Sequence, residues 1–207
     1  MLATRTVAFI SVLLVLVWSG YQPHDYFTWL LEVTPVLVAL PVLIITRQRF
    51  PLTPLSYILI AVHAVILMIG GHYTYAEVPL FNWLRDAWDL SRNHYDRLGH
   101  LAQGFVPAMI AREVLLRTTT LQAGKMLFFL VVCVCLAISA TYEIVEWMVA
   151  ATSGSDAVAF LATQGDVWDT QKDMLMALIG SVLAPILLAA RQDAQLKQLQ
   201  LRHSADL

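Results

Sequence analysis

The sequence predicts an all-α fold, a polytopic bundle of about six transmembrane helices with one further helix lying in the membrane interface. Hydrophobic residues make up 58% of the 207 residues, charged residues make up only 14%, and the mean hydropathy is +0.66. These values lie well outside the range of soluble domains. Apolar runs recur along the chain and leave no stretch for a separate soluble domain. We therefore treat residues 1–207 as a single integral membrane domain.

The first three apolar runs predict spans at residues 5–22, 29–46 and 54–75. The first run follows Arg5 and lacks a small-x-small cleavage site, so we interpret it as an uncleaved signal anchor. The second run contains Pro35 and Pro41, which are tolerated in a membrane because neighbouring helices can satisfy the freed carbonyls. The third run carries no formal charge.

The rest of the chain predicts an interfacial helix at residues 78–92, spans at 95–116, 125–148 and 170–190, and a cytoplasmic tail at 191–207. In the interfacial segment Leu80, Leu84 and Trp88 share one helical face, while charged residues lie on the others. This pattern is typical of a helix lying in the membrane surface. The span at 95–116 is only weakly apolar, because it contains His100 and Gln103.

The basic residues predict the orientation of the bundle. If every predicted span crosses the membrane, one side carries Arg5, Arg47, Arg49, Arg112, Arg117, Lys125, Arg191, Lys197 and Arg202, and the other carries Arg85, Arg92, Arg97 and Lys172. This bias fits the positive-inside rule with both termini cytoplasmic, and in a Gram-negative cell the opposite side would be the periplasm. Without the span at 95–116 the basic tail would lie outside. No basic patch supports nucleic-acid binding.

The acidic residues gather at the opposite, periplasmic ends of the spans. All of them lie there except Glu113, Asp193 and Asp206. Carboxylates at the edge of a bilayer are costly unless they are paired, bind a cation or reach water. Helical spacing places three groups on common faces: Asp96 with His100 and Gln103, Glu143 with Glu146, and Asp169 with Asp173, preceded by Asp166.

Three interpretations of these acidic groups stay open. In the first, Arg97 with Arg92 and Lys172 neutralises the carboxylates in an ion-pair network that only orients helices. In the second, carboxylates and imidazoles bind a divalent cation, which could activate water or grip a phosphate. In the third, the groups form a proton or ion relay in a small transporter. Like carboxylates packed together require a compensating charge in every case.

Three stretches of the chain, residues 95–105, 142–147 and 163–174, resemble the YjdF-type bacterial inner-membrane proteins, and the resemblance covers essentially the whole chain. The same stretches are more distantly similar to the VanZ-like membrane proteins. Asp96, Arg97 and His100 match the first element of that family's pattern, Glu143 the second, and Asp173 with Gly180 the third. The resemblance implies a shared membrane scaffold with a polar site on the last three spans, and it supplies no reaction.

We therefore expect a periplasm-facing carboxylate and histidine site that binds a divalent cation and acts on a lipid or lipid-linked envelope molecule. The alternatives are a small proton- or ion-coupled transporter and a purely structural ion-pair network, so enzymatic activity stays open. Membrane lipids and a small amphiphile are the expected partners, and a divalent cation is the cofactor that the residues suggest. The expected members are His100 and Glu143 as catalytic residues, Asp96, Glu146, Asp169 and Asp173 as metal ligands, and His72, Arg97, Gln103 and Asp166 as further members.

Overall fold

The structure is a computed structural model that describes residues 2–153 and 162–205, and every regular element in these ranges is helical. The helices are α1 (Leu2–Ser19), α2 (Tyr26–Thr46), α3 (Pro54–Tyr73), a 3-10 turn (Tyr75–Glu77), α4 (Pro79–Ala87), α5 (Tyr95–Thr118), α6 (Lys125–Ser153) and α7 (Asp169–Ala205). The all-α prediction is confirmed for the described residues.

Among the residues that the structure describes, four helices are long and apolar enough to cross a membrane: α2, α3, α6 and α7. Helix α1 offers a shorter apolar stretch, Arg5–Ser19. Helix α5 has the length of a span but not the composition, because it contains charged residues such as Asp96, Arg112 and Glu113. The structure thus supports four of the predicted spans on this criterion, and a crossing by α1 and α5 stays a prediction.

Helix α3 lies at the centre, with α1 and α2 on one side and α5 on the other, and α5, α6 and α7 pack together. Helices α1 and α3 are parallel, because Arg5 Nη2 donates to Leu52 O just before α3 begins and His72 Nδ1 donates to Ser19 O where both helices end. Helix α2 starts beside the end of α3, where Trp29 lies against Gly71. Helices α1, α2 and α3 therefore lie side by side along their lengths.

Helices α5 and α7 form a close parallel pair that is built on two glycines. A Cβ atom at Gly104 would lie 1.9 Å from Ala177 O, and one at Gly180 would lie 2.2 Å from Leu101 O. Ala108 and Ala184 follow one turn later on the same faces and are fully buried. Small residues at this spacing let helix backbones approach closely in a membrane. The close approach sets the acidic start of α7 beside the start of α5.

The start of α3 is held by a buried carboxylate from α5. Thr53 is the N-cap residue of α3, and its backbone N–H and hydroxyl donate to Glu113 at 2.9 and 2.8 Å. The Ser56 hydroxyl and Arg117 Nη1 also donate to Glu113, at 2.7 and 2.9 Å. Glu113 is fully buried, so this charge ties α3 to α5 inside the protein rather than facing solvent.

The helices extend differently from the predicted segments in two places. Helix α7 continues from the predicted span at 170–190 through the predicted tail to Ala205, because Gln192 is buried and donates to Met109 O, while Gln195 accepts from Leu55 N. Residues 206–207 of the predicted tail lie outside the described residues. The interfacial helix predicted at 78–92 is shorter, Pro79–Ala87, because the chain turns at Asp89 with a φ of 51°.

Candidate functional site

Two arginines interleave with aspartates where α5 and α7 begin. Arg92 Nη1 and Arg97 Nη2 both donate to Asp169 Oδ1, at 2.5 and 2.6 Å. Arg92 also pairs with Asp96 at 3.3 Å, and Arg97 pairs with Asp173. We call Arg92, Arg97, Asp96, Asp169 and Asp173 the arginine–aspartate layer. None of its side chains is more than 12% exposed, so the pairs are shielded from water.

Asp166 forms the outer rim of this layer, in the loop before α7. Its carboxylate accepts from Lys172 Nζ at 2.6 Å, from Arg97 Nη2 at 3.3 Å and from Trp168 N at 3.1 Å. The hydrogen bond from Lys172 and that from the Trp168 backbone lower the pKa of Asp166. The rim therefore carries a stable negative charge that helps to orient Arg97.

His100 lies one helical turn below Asp96 and is surrounded by oxygen atoms. Its Nε2 is 3.4 Å from Asp96 Oδ1 and 3.8 Å from Asp173 Oδ1. Its Nδ1 is 3.2 Å from Gln103 Oε1 and 3.7 Å from Glu143 Oε1. His100 thus joins the arginine–aspartate layer to carboxylates deeper in the bundle, and the structure brings together most of the residues that the sequence pattern selected.

Glu143 has a buried carboxylate oxygen without a hydrogen-bond partner among the described residues. This oxygen is Oε1, and the side chain is only 6% exposed. A buried polar atom without a partner is costly and rare in native proteins. The position of this oxygen, 3.7 Å from His100, therefore indicates a place for a proton, a water molecule or a cation.

Three residues have the geometry of a cation site. One ligand atom from each of Asp96, His100 and Asp173 lies within 4.8 Å of the other two, and all three residues are buried. Two carboxylates and an imidazole suit Zn²⁺ or Mn²⁺. Glu146 and Asp169, the other ligands expected from sequence, lie outside this trio. Asp169 instead accepts from both arginines of the layer.

The site carries more negative than positive charge. Its acids are Asp96, Asp166, Asp169, Asp173 and Glu143, whereas its permanent cations are Arg92, Arg97 and Lys172. Buried charges of one sign are stable only when another charge or a proton compensates them. The inner carboxylates therefore require a further compensating charge, which a proton on His100 or on a carboxylate, or a bound cation, could supply.

A large apolar cavity ends at the inner side of this cluster. Its volume is about 970 Å³, and it is enclosed by α1, α2, α3, α5 and α6. Its polar end contains Asp96, His100, Gln103 and Glu146 from the predicted site, together with Glu32, Tyr75 and Tyr142. The carboxylate and imidazole cluster is therefore accessible from a space that suits a hydrocarbon chain.

Glu32 and Tyr142 belong to the site although the sequence pattern did not select them. The Tyr142 hydroxyl donates to Glu32 Oε2 at 3.1 Å and so links α2 to α6 across the polar end of the cavity. Glu32 is only 5% exposed. The sequence alone could have identified Glu32, because a lone carboxylate inside an apolar span commonly marks a functional site. Tyr142 had no comparable signal, since tyrosines are common at membrane interfaces.

His72, which sequence reasoning included, does not join the cluster. Its Nδ1 donates to Ser19 O at 3.0 Å, and its ring lies 4.5 Å from the Trp18 ring and 4.6 Å from the Tyr73 ring. His72 lies at the end of α3, but its helical face is turned to α1. Depth alone does not decide which residues of different helices meet.

Comparisons with known proteins give two matches. A family described as "Predicted membrane protein (DUF2238)" matches residues 4–194. The chain is also 50% identical over 189 residues to the inner membrane protein YjdF of Escherichia coli (strain K12), which covers 91% of this chain and 90% of that protein. No solved structure shows a significant match. The resemblance to YjdF-type proteins that the three sequence stretches indicated is confirmed.

Proposed function

Because the chain belongs to the DUF2238 family of predicted membrane proteins and is a multi-pass inner-membrane protein, we propose that its polar cluster binds a divalent cation and acts on an amphiphile. The amphiphile is a lipid or a lipid-linked envelope molecule drawn from the membrane into the cavity. One observation carries the proposal: Asp96 and His100 belong both to the cation trio and to the wall of the cavity. A cation held there would meet the polar group of a molecule whose chain fills the cavity.

The proposal includes a bundle of six crossings with the site on the periplasmic side and both termini in the cytoplasm. The support for a crossing by α1 is its parallel course along α3 between Arg5 and Ser19. The support for a crossing by α5 is its contact with α7 from Asp169 at one end to Gln192 at the other. With six crossings, the positive-inside rule assigns the acidic ends to the periplasm.

The residues have distinct roles in this scheme. Asp96, His100 and Asp173 hold the cation, which grips a phosphate or lowers the pKa of a bound water. Glu143 acts as the general base or orients His100, since its free oxygen is the nearest unpaired acceptor. Arg92 and Arg97 are positioning residues, because they hold the α7 aspartates against α5 and their charge is already matched.

The test is a measurement of bound metal in purified protein by mass spectrometry after dialysis against a weak chelator. We expect about one divalent ion per chain in the wild type, as a single trio of ligands allows. Asp96→Asn and Asp173→Asn should lose that ion, whereas Asp193→Asn, which alters a half-exposed acid at the other end of α7, should keep it. Equal metal content in all four proteins would contradict the ligand assignment.

A second candidate is a proton- or ion-coupled transporter, and the unpartnered Glu143 oxygen together with the surplus of negative charge favours it. In that case purified protein would contain no metal, and vesicles containing it would show a pH-dependent flux that Glu143→Gln abolishes. If the variants fold normally and neither metal nor flux is found, the cluster is the structural ion-pair network alone, and both functional candidates fail.

A further inference from the structure

The end of the cavity opposite the carboxylates is basic. It is lined by Arg5 at the start of α1 and by Arg47 and Gln48 just after α2. Neither arginine forms a salt bridge with a carboxylate in the described part of the chain. Arg5 Nη2 donates to Leu52 O at 3.4 Å and its guanidinium lies 4.9 Å from the Tyr57 ring, but its Nε is buried without a hydrogen-bond partner.

An apolar slot leads inward from these arginines. The buried residues of α2 end at Val36, so the second half of this helix does not pack closely against α3. Its residues Ala39 and Leu43 instead line the cavity, opposite Phe9 of α1 and Ile60 of α3. Two unneutralised guanidinium groups thus stand at the mouth of a hydrocarbon-lined space.

We propose that this end of the cavity binds an anionic phospholipid from the cytoplasmic leaflet. Its phosphate lies between Arg5 and Arg47, and one acyl chain lies in the slot. Guanidinium groups bind phosphate oxygens through paired charge-assisted hydrogen bonds, and apolar walls complement the chain. The arginines that line the cavity both lie at this end, which fixes the direction in which the lipid lies. The leaflet follows from the orientation proposed above, whereas the headgroup site is independent of the cation chemistry.

The competing explanation is that these arginines are ordinary interfacial residues whose charge attracts anionic lipids without a defined site. Arg49 and Arg191 provide the matched control, because both are exposed, neither lines the cavity, and both belong to the same basic side of the protein. Replacing both removes the same amount of positive charge but leaves the residues of the proposed site unchanged.

The experiment measures lipid retention by native mass spectrometry on full-length protein in detergent, with phosphatidylglycerol and phosphatidylcholine of identical chains as the two probes. We expect the wild type to prefer phosphatidylglycerol, and the double variant Arg5→Gln/Arg47→Gln to bind it roughly 30-fold more weakly, because each lost guanidinium removes a hydrogen bond to the phosphate. The control Arg49→Gln/Arg191→Gln should stay within about twofold of the wild type. Equal losses in both pairs, or no preference in the wild type, would overturn the proposal.

Two further arms complete the test. Inorganic phosphate at millimolar concentration should not displace the lipid, and displacement would identify a site for soluble phosphate instead. Ala39→Trp, which fills the slot, should weaken retention while the arginines remain.

Should the double variant fail to fold because Arg5 contacts Leu52, Arg47→Gln alone should still show roughly a fivefold loss. Asp173→Asn should retain the lipid preference, so failure of this proposal is distinguishable from failure of the cation site.

Discussion

The backbone N–H and the hydroxyl of Thr53 both donate to the carboxylate of Glu113, at 2.9 and 2.8 Å. The two residues belong to different helices, and the carboxylate satisfies donors at the first turn of α3 that no helix can satisfy by itself. A charge from α5 therefore acts as the cap of α3. The arrangement lies at the end of the bundle opposite the candidate site.

This cap predicts a large loss of stability in Glu113→Ala. The substitution leaves Arg117, Thr53 and Ser56 without their acceptor, and breaking a buried charge pair typically costs about 3 to 5 kcal/mol. The free energy of unfolding in detergent measures the loss. Asp86→Ala is the control, because Asp86 pairs with Arg85 at the surface and is 67% exposed, so its change should be small. Similar losses in the two variants would contradict the capping role.

The close approach of α5 and α7 predicts that even the smallest side chain is too large at Gly104. Gly104→Ala places a Cβ atom against Ala177 O and should cost about 1 to 3 kcal/mol through overpacking. Unfolding in detergent again provides the readout. Gly124→Ala serves as the control, since nothing lies within 4 Å of its Cβ position. A stable Gly104→Ala protein would mean that the two helices are farther apart than described.

We predict that the arginines and the aspartates of the arginine–aspartate layer are coupled in their contributions to stability. Arg97→Gln leaves Asp169 and Asp173 facing one another with less compensation, and we expect a loss of stability of about 3 kcal/mol. Adding Asp173→Asn removes one of the uncompensated charges and should restore part of this loss, so the double-mutant cycle should show a coupling of about 1 kcal/mol or more. The exposed pair Arg85 and Asp86 is the control cycle, with an expected coupling below about 1 kcal/mol. Additive losses at Arg97 and Asp173 would disprove the coupling.

We predict that Asp25, the N-cap residue of α2, makes a pH-dependent contribution to stability. Its carboxylate accepts from Thr28 N at 2.7 Å, and this hydrogen bond lowers the pKa of Asp25. A carboxyl group with a lowered pKa in the folded state stabilises the protein above its unfolded pKa of about 3.9, and the contribution is lost as the pH falls through the lowered value. Asp25→Ala should therefore cost about 1 kcal/mol at pH 7 and less in acid.

The control for this prediction is Asp25→Asn, because asparagine is an equally good N-cap residue but does not titrate. Its stability relative to wild type should improve as the pH is lowered. Melting temperatures in detergent between pH 7 and pH 3 measure both differences. A cost of Asp25→Ala that is independent of pH would show that the charge of the cap is irrelevant.

Much of the fold could be predicted because membrane helices have simple sequence signals. The apolar runs identified α2, α3, α6 and α7, and the sidedness of basic residues identified α5 although its composition is too polar for a hydropathy criterion. The end of α7 was not predictable in this way. Gln192 and Gln195 are polar, and only their partners on α5 and α3 explain why the helix continues.

The candidate site was predictable in its depth but not in its partners. Helical spacing correctly grouped Asp96 with His100, and matched depth brought in Asp173 and Glu143. The same argument wrongly included His72, because the rotation of a helix about its axis depends on packing that hydropathy does not encode. The division of roles between Asp169, which binds arginines, and Asp173, which also faces His100, depends on distances of a few ångströms.

The contact between Gly104 and Ala177 also bears on how the protein is made. A ribosome delivers α5 long before α7, and until then Arg97 and Arg112 lack Asp173 and Asp193, their acidic partners on the last helix. Docking of α7 supplies both partners in one event, because the parallel contact runs along both helices. A nascent chain that stops before residue 169 therefore leaves two guanidinium groups of α5 without these carboxylates.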